Sequence, residues 1–251
     1  MRILLSTPCS GAMVHAEYLM SLLARTMLAP QRLENLSHYD VAPYLTHGNS
    51  GLSKDRNIVA SFALRNGFDK LFCIDSDQTW NWEQFRSIVD SNKEIIAGVV
   101  PLKAFPTKLN FTPNPEDKDL FEGEDGRSTN PLGLEKMLKK YGTDELPVQC
   151  MGTAFMCIDT KVFAKLAESK YVPKFVYEGS GKQEWVWDFF QTGVVEPLYY
   201  GEDWGFCLQA KRHGFQPYIN GKVHIPHIGN HTYRIGQNLT YTEPTYLGVE
   251  K

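Results

Sequence analysis

Apolar and polar positions along this chain fall into blocks that switch between the two periods of regular secondary structure. Arg2–Ser6 is a short apolar run that reads as a strand, with Thr7-Pro8-Cys9-Ser10-Gly11 as the loop behind it. From Val14 to Met27, the residues Val14, Tyr18, Leu19, Leu22 and Leu23 fall at helical spacing and predict a helix. Leu33–Leu45 reads as a strand with a flanking loop, and Gly48-Asn49-Ser50-Gly51 as a turn. Ser53 is the expected N-cap of a helix that runs to Asn66, stops at Gly67, and buries Ile58, Val59, Phe62 and Ala63. An apolar strand, Leu71-Phe72-Cys73-Ile74, then ends in Asp75-Ser76-Asp77, followed by a helix near Trp82–Asp90 and a strand over Glu94–Val100. This β-α alternation predicts a doubly wound, mostly parallel sheet over residues 1–101.

Beyond Pro101 the periodicity breaks down. Residues 103–147 are rich in Pro, Gly, Asp, Asn and Lys, with one helix expected at Leu134–Tyr141. A connection of that length reads as a functional insertion, flexible over residues 102–148. Cys150–Ile158 is expected as one strand, Thr160–Ser169 as a helix, and the aromatic stretch 171–195 as a second set of strands. Glu202–His213 reads as a helix stopped by Gly214, and Val223–Tyr233 as a strand and loop with three histidines. No repeat or linker divides the chain. It reads as one domain, 1–251, with residues 149–251 as its second functional half.

Composition narrows the picture without deciding it. A net charge of -3 leaves no general nucleic-acid footprint, although Lys103, Lys108, Lys139, Lys140, Lys165 and Lys170 could form a local phosphate-binding face. The five cysteines are odd in number and lack C-x-x-C spacing, so they read as reduced core thiols of a cytosolic protein. No run approaches a membrane span, and Met1–Pro8 reads as a first strand rather than a secretory leader.

The chemistry starts at Asp75 and Asp77. Alternate side chains of an extended strand face opposite ways, so both carboxylates can meet one ion only if the chain turns at Ser76. At the carboxyl end of a strand in an open α/β sheet, they lie where such sheets place ligands. Carboxylates are hard oxygen donors suited to Mg²⁺ or Mn²⁺, ions that bridge protein acids to substrate phosphates. The plainer role for the pair is capping a strand-end turn. Glu202 and Asp203 open a helix; its dipole alone favours acids there, and one of them could also take a proton from an incoming hydroxyl. Among His224, His227 and His231, at least one is a candidate metal ligand shared with Asp75 or Asp77. Arg56, in Asp55-Arg56-Asn57, is either a solvated first-turn residue or a guanidinium set against a diphosphate.

Four short motifs carry a family resemblance across roughly residues 2–233: Arg2–Pro8; Arg56-Asn57 ahead of Leu71–Asp77; Gly152-Thr153-Ala154-Phe155-Met156; and Gly201-Glu202-Asp203-Trp204-Gly205-Phe206-Cys207. Together they resemble the GT-A glycosyltransferases, which act on nucleotide sugars. The resemblance implies a Rossmann-like α/β fold with a doubly wound, mostly parallel central sheet and a smaller mixed sheet in the acceptor half. It implies that Thr7 and Pro8 hold the nucleoside, and that Asp75 and Asp77 bind Mn²⁺ or Mg²⁺ with the ribose-diphosphate. His227, or failing it His231, would complete the metal shell. Gly152 and Thr153 would line the donor sugar or acceptor, with Arg56 or Lys54 assisting at the diphosphate. Asp203, beside Glu202, would act as the base in an inverting reaction; a retaining reaction would use a similar acid pair differently.

The implied donor is a nucleoside-diphosphate sugar, UDP foremost, and the acceptor a hydroxyl of a glycan, a small molecule or a modified DNA base. Short length and the missing anchor resemble bacterial or viral members, which implies the cytoplasm of a bacterium or of a virus-infected host cell. Two other readings stay open. Apolar-Asp75-x-Asp77-x-Thr79 also matches the nucleophile loop of haloacid-dehalogenase-like phosphatases, although that family needs a second acidic loop that Gly201–Cys207 does not supply. The third is a sugar-nucleotide-binding protein without turnover.

Overall fold

The computed structural model describes residues 1–27, 39–47, 51–121, 129–179, 182–195, 197–229 and 231–236. Its first strands are β1 (Arg2–Pro8), β2 (Asp40–Thr46), β3 (Lys70–Ile74), β4 (Ile95–Val99), β5 (Phe111–Pro113), β6 (Glu145–Met151) and β7 (Phe155–Asp159). There follow β8 (Lys174–Gly179), β9 (Lys182–Trp187), β10 (Gly193–Val195), β11 (Leu198–Tyr200), β12 (Tyr218–His224), β13 (His227–Ile228) and β14 (Thr232–Tyr233). The α-helices are α1 (Ala16–Met20), α2 (Leu52–Arg65), α3 (Trp82–Val89), α4 (Pro131–Tyr141), α5 (Thr160–Ala167) and α6 (Glu202–Arg212).

Eight strands form one sheet in the order β2-β1-β3-β7-β4-β12-β6-β5. β1 pairs in parallel with β2 and β3, and β4 with β12, while β6 and β7 are antiparallel to their neighbours. All but β6 and β7 therefore run the same way, giving an α/β fold with a mostly parallel central sheet. The strands read as apolar runs because successive side chains enter opposite cores. Leu4, Leu71, Cys73, Ile95 and Ala97 pack with α2, α5 and α6 on one face. Ile3, Leu5, Phe72, Ile74 and Ile96 pack with α1 and α3 on the other. The sheet is doubly wound, as its sequence predicts.

Several elements differ from expectation. The helix begun at α1 continues as a π-helical stretch over Ser21–Met27. The N-cap of α2 is Gly51; the Ser53 hydroxyl instead donates to the Phe190 carbonyl at 2.6 Å. Cys150–Ile158 is two strands, because the backbone breaks at Gly152, whose N–H donates to the Asn110 carbonyl at 3.0 Å. Residues 102–148 were expected to form a flexible cover, yet in their described part they supply β5, α4 and most of β6, and bury Phe111, Phe121, Leu134, Met137, Leu146 and Val148 in the main core. Wide polar spacers hide those apolar anchors from a periodicity reading. In place of one smaller mixed sheet, the described residues form three antiparallel ribbons, β8-β9, β10-β11 and β13-β14. Of the Leu33–Leu45 strand, Leu33–His38 lie outside the described residues, as do the Gly48-Asn49-Ser50 turn and the polar tail from Asn238.

All five cysteines are buried and free, and burial pushes Cys73, Cys150 and Cys157 each up to about 12. They are core thiols. Among the described residues no helix is long and apolar enough to cross a membrane.

Candidate functional site

The carboxyl ends of β1 and β3 and the start of α2 enclose an open cleft of about 690 Å³. Pro8, Cys9, Gly11 and Ala12 form one wall, His47, Gly51, Leu52 and Asp55 another, and Asp75-Ser76-Asp77 the floor. This is the position at which open α/β sheets bind ligands.

The aspartate turn is fastened on several sides. Asp75 N–H donates to the Ala154 carbonyl at 3.0 Å, and Gln78 N–H closes a turn onto the Asp75 carbonyl at 3.2 Å. His15 N–H reaches the Ser76 carbonyl at 3.1 Å, and Ile228 N–H the Asp77 carbonyl at 2.8 Å. The chain does turn at Ser76, and the two carboxylates go to different partners.

Asp75 Oδ1 faces Arg56 Nη2 at 3.3 Å. Arg56, only 5% exposed, also lies 3.4 Å from Glu202 Oε1 through its Nε. The guanidinium thus ties the aspartate turn to the first turn of α6. Burial raises the Asp75 carboxyl above its ordinary value; Arg56 offsets part of this and Asp77 adds to it.

Asp77 Oδ2 accepts from Lys103 Nζ at 2.6 Å and lies 3.2 Å from His227 Nε2. Burial pushes the Asp77 carboxyl up, but hydrogen bonds from His227 and Lys103 outweigh it and hold the group well below the usual carboxylate range. His227 Nδ1 donates to the Pro101 carbonyl at 2.9 Å, which fixes the ring. With Nδ1 so committed, Nε2 is the ring nitrogen left to face Asp77, or a metal ion that Asp77 also binds. Adjacent ligands of an octahedral ion, each ~2.1 Å from it, stand about 3.0 Å apart, close to the spacing seen here. Asp77 and His227 therefore fit a hard divalent ion. Asp75 is turned toward Arg56, and among the described residues no group of three His, Cys, Asp or Glu side chains gathers tightly enough to hold a metal alone. Substrate oxygens or water would fill the rest of such a shell.

The other candidates are spread around this centre. Thr7 is fully buried, its hydroxyl shared with the Tyr18 hydroxyl, and it does not line the cleft. Gly152 and Thr153 are buried in the connection whose Ala154 carbonyl holds Asp75, and Thr153 Oγ1 has no partner. Lys54 stands over the Tyr177 ring at 5.2 Å. His224 bonds the Gly221 carbonyl, and His231 contacts the Tyr233 ring. Of the three histidines, His227 meets Asp77.

Asp203 Oδ1 accepts the Trp204 N–H at 2.8 Å. Burial, then Glu202, pushes its carboxyl up to about 6, against the opposing pull of Arg56. That value suits a group that exchanges protons near neutrality.

One cleft-wall acid escaped the sequence reading. Asp55, 8% exposed with an unpartnered Oδ1, lies in the cleft wall where a first-turn acid reads as solvated. Lys103, one of the lysines the sequence offers as a local phosphate-binding face, is paired with Asp77.

No protein-family model and no curated protein matches the chain. Among solved structures it is similar to A197 from STIV, at 14% identity and a TM-score of 0.47, covering 98% of this chain and 100% of that one. It is also similar to GalNAc-T7, solved with UDP, GalNAc and Mn²⁺, at 11% identity and a TM-score of 0.47, covering 99% of this chain and 46% of that one.

Proposed function

We propose that the chain is a metal-dependent glycosyltransferase that moves a sugar from a nucleoside diphosphate, UDP foremost, to a hydroxyl acceptor. The observation that carries this is the convergence of Asp77 Oδ2 and His227 Nε2 at 3.2 Å, with Asp77 itself lining a cleft at the carboxyl ends of β1 and β3. The motif resemblance to GT-A enzymes supports it independently.

A Mn²⁺ or Mg²⁺ ion held by Asp77 and His227 would supply Lewis-acid stabilisation of the departing diphosphate. The chain's own groups do the rest. Pro8 and the other cleft walls shape the nucleoside end, with Thr7 and Tyr18 paired in the adjoining core. Arg56 holds Asp75 and Glu202 in fixed relation, so the donor floor and the acceptor helix move as one. Asp203 accepts the proton of the acceptor hydroxyl, and Glu202 orients it. The clasp of Arg56 on Asp75 weighs against Asp75 as a phosphatase nucleophile, which would have to attack with that carboxylate.

Calorimetry with UDP, GDP, CDP, ADP and dTDP, with and without Mn²⁺, on wild type and Asp77→Ala, tests the reading. Mn²⁺-dependent binding of one diphosphate, lost in the variant, supports it and names the donor class. Absence of nucleotide binding at millimolar concentration, with an aspartyl-phosphate trapped on Asp75, would replace it with the phosphatase. Donor binding that survives Asp203→Asn, with no product from either form, would leave a binding protein.

A further inference from the structure

Lys103 Nζ sits 2.6 Å from Asp77 Oδ2, the same oxygen that faces His227 Nε2. A divalent ion at that oxygen and an ammonium hydrogen-bonded to it are like charges competing for one acceptor. Both cannot stay. The lysine has somewhere to go: its side chain is 38% exposed. Its stem runs along Gly229, where an added Cβ would stand 3.2 Å from Cδ and 3.4 Å from Cε. Arg56, by contrast, is clasped between two carboxylates and almost fully buried.

We propose that Lys103 is a tethered cation beside the cleft, reaching it through Asp77: it holds Asp77 Oδ2 in the ligand-free chain, yields that oxygen to the divalent ion, and then binds the diphosphate that arrives with it. This rests on the metal-dependent reading above. Lys103 thereby lowers the affinity for the ion alone and raises the affinity for the diphosphate once the ion is in place. The two ligands become mutually reinforcing through one side chain, and such a coupling is reciprocal.

The test is binding, not turnover. Mn²⁺ affinity is measured by electron paramagnetic resonance of the free ion, and inorganic pyrophosphate affinity by calorimetry at saturating Mn²⁺. Pyrophosphate is chosen because every nucleoside-diphosphate donor shares its chemistry. Lys103→Met keeps the stem and removes the charge. It should bind Mn²⁺ about tenfold more tightly than wild type and pyrophosphate about tenfold more weakly, opposite shifts of the size typical of site coupling. Lys103→Arg should restore the weak Mn²⁺ binding, and melting curves of all three forms confirm that they fold. Affinities that move together, or not at all, in a wild type that binds both ligands overturn the role of Lys103 while leaving the function intact. A wild type that binds neither ligand overturns the metal-dependent reading, and this inference with it.

Discussion

Arg56 carries its guanidinium to within 3.3 Å of Asp75 Oδ1 from a position that leaves it only 5% exposed. Its other face meets Glu202 at 3.4 Å. Removing one member of a buried charge cluster leaves the rest uncompensated, which is costlier than the cluster's net worth. Arg56→Met should therefore lose about 3 kcal/mol of stability, the low end for a buried pair because both carboxylates retain some solvent. Adding Glu202→Gln should recover part of that loss in a double-mutant cycle read by urea unfolding. Strictly additive losses would mean that Arg56 and Glu202 do not sense each other.

Asn57, 1% exposed, donates to Asp188 Oδ1 at 2.6 Å and accepts the Phe190 N–H at 2.7 Å, so one side chain pins α2 to residues 188–190. Asn57→Asp replaces the donor with a carboxylate oxygen facing another carboxylate. Burial already raises the Asp188 carboxyl, and the Asn57 hydrogen bond pulls against it. In the variant, that pull becomes a second push upward. Groups with raised folded values stabilise below their unfolded values and lose that contribution as pH rises through the folded ones. The deficit against wild type should be small near pH 4 and reach about 2 kcal/mol at pH 7.5. Equal deficits at both pH values would remove the charge explanation.

Gly205 and Gly152 stand where no side chain fits, for different reasons. A Cβ on Gly205 would lie 2.0 Å from the Gln191 carbonyl oxygen; on Gly152 it would lie 1.8 Å from the Asn110 side-chain amide. Backbone cannot step aside, but a side chain can be shortened. Gly205→Ala should cost at least about 2 kcal/mol, as overpacking does. Gly152→Ala should be comparably damaging alone and largely relieved by Asn110→Ala. Thermal melts of the four variants decide it; absence of relief would place the strain in the Gly152 backbone itself.

These residues also mark what the sequence can reveal. The alternation of Leu4 with Ile3 and Leu5, and of Leu71 with Phe72, is written in runs of buried residues, so the doubly wound sheet is legible. Asp75 and Asp77 are legible as a strand-end pair, but their separate partners are not. Which carboxylate meets Arg56 and which meets His227 depends on a turn held by Ala154, His15 and Ile228, three residues from distant parts of the chain. Asp55 was hidden for a related reason: an acid in a first helical turn looks solvated until the fold closes around it. Lys103 shows its charge in the sequence but not its partner Asp77.

Asp203 offers the sharpest separation of stability from function. Its carboxyl is pushed from 3.8 up to about 6 by burial, then by Glu202, with Arg56 and the Trp204 N–H working the other way. Because the folded value is raised, the contribution to stability is fully present below the unfolded value and lost as pH climbs through about 6. Asp203→Asn cannot ionise and keeps an oxygen for the Trp204 N–H. It should match wild type near pH 4 and exceed it by about 1–2 kcal/mol at pH 7.5, discounted for partial solvent access. If Asp203 is the base, transfer by wild type should fall on the acid side with an apparent pKa near 6. The variant should then lose at least about 100-fold in turnover while still binding nucleotide. A variant that is stabilised and inactive fits both roles, whereas one that is stabilised and fully active would confine Asp203 to electrostatics and move the search for the base to Glu202.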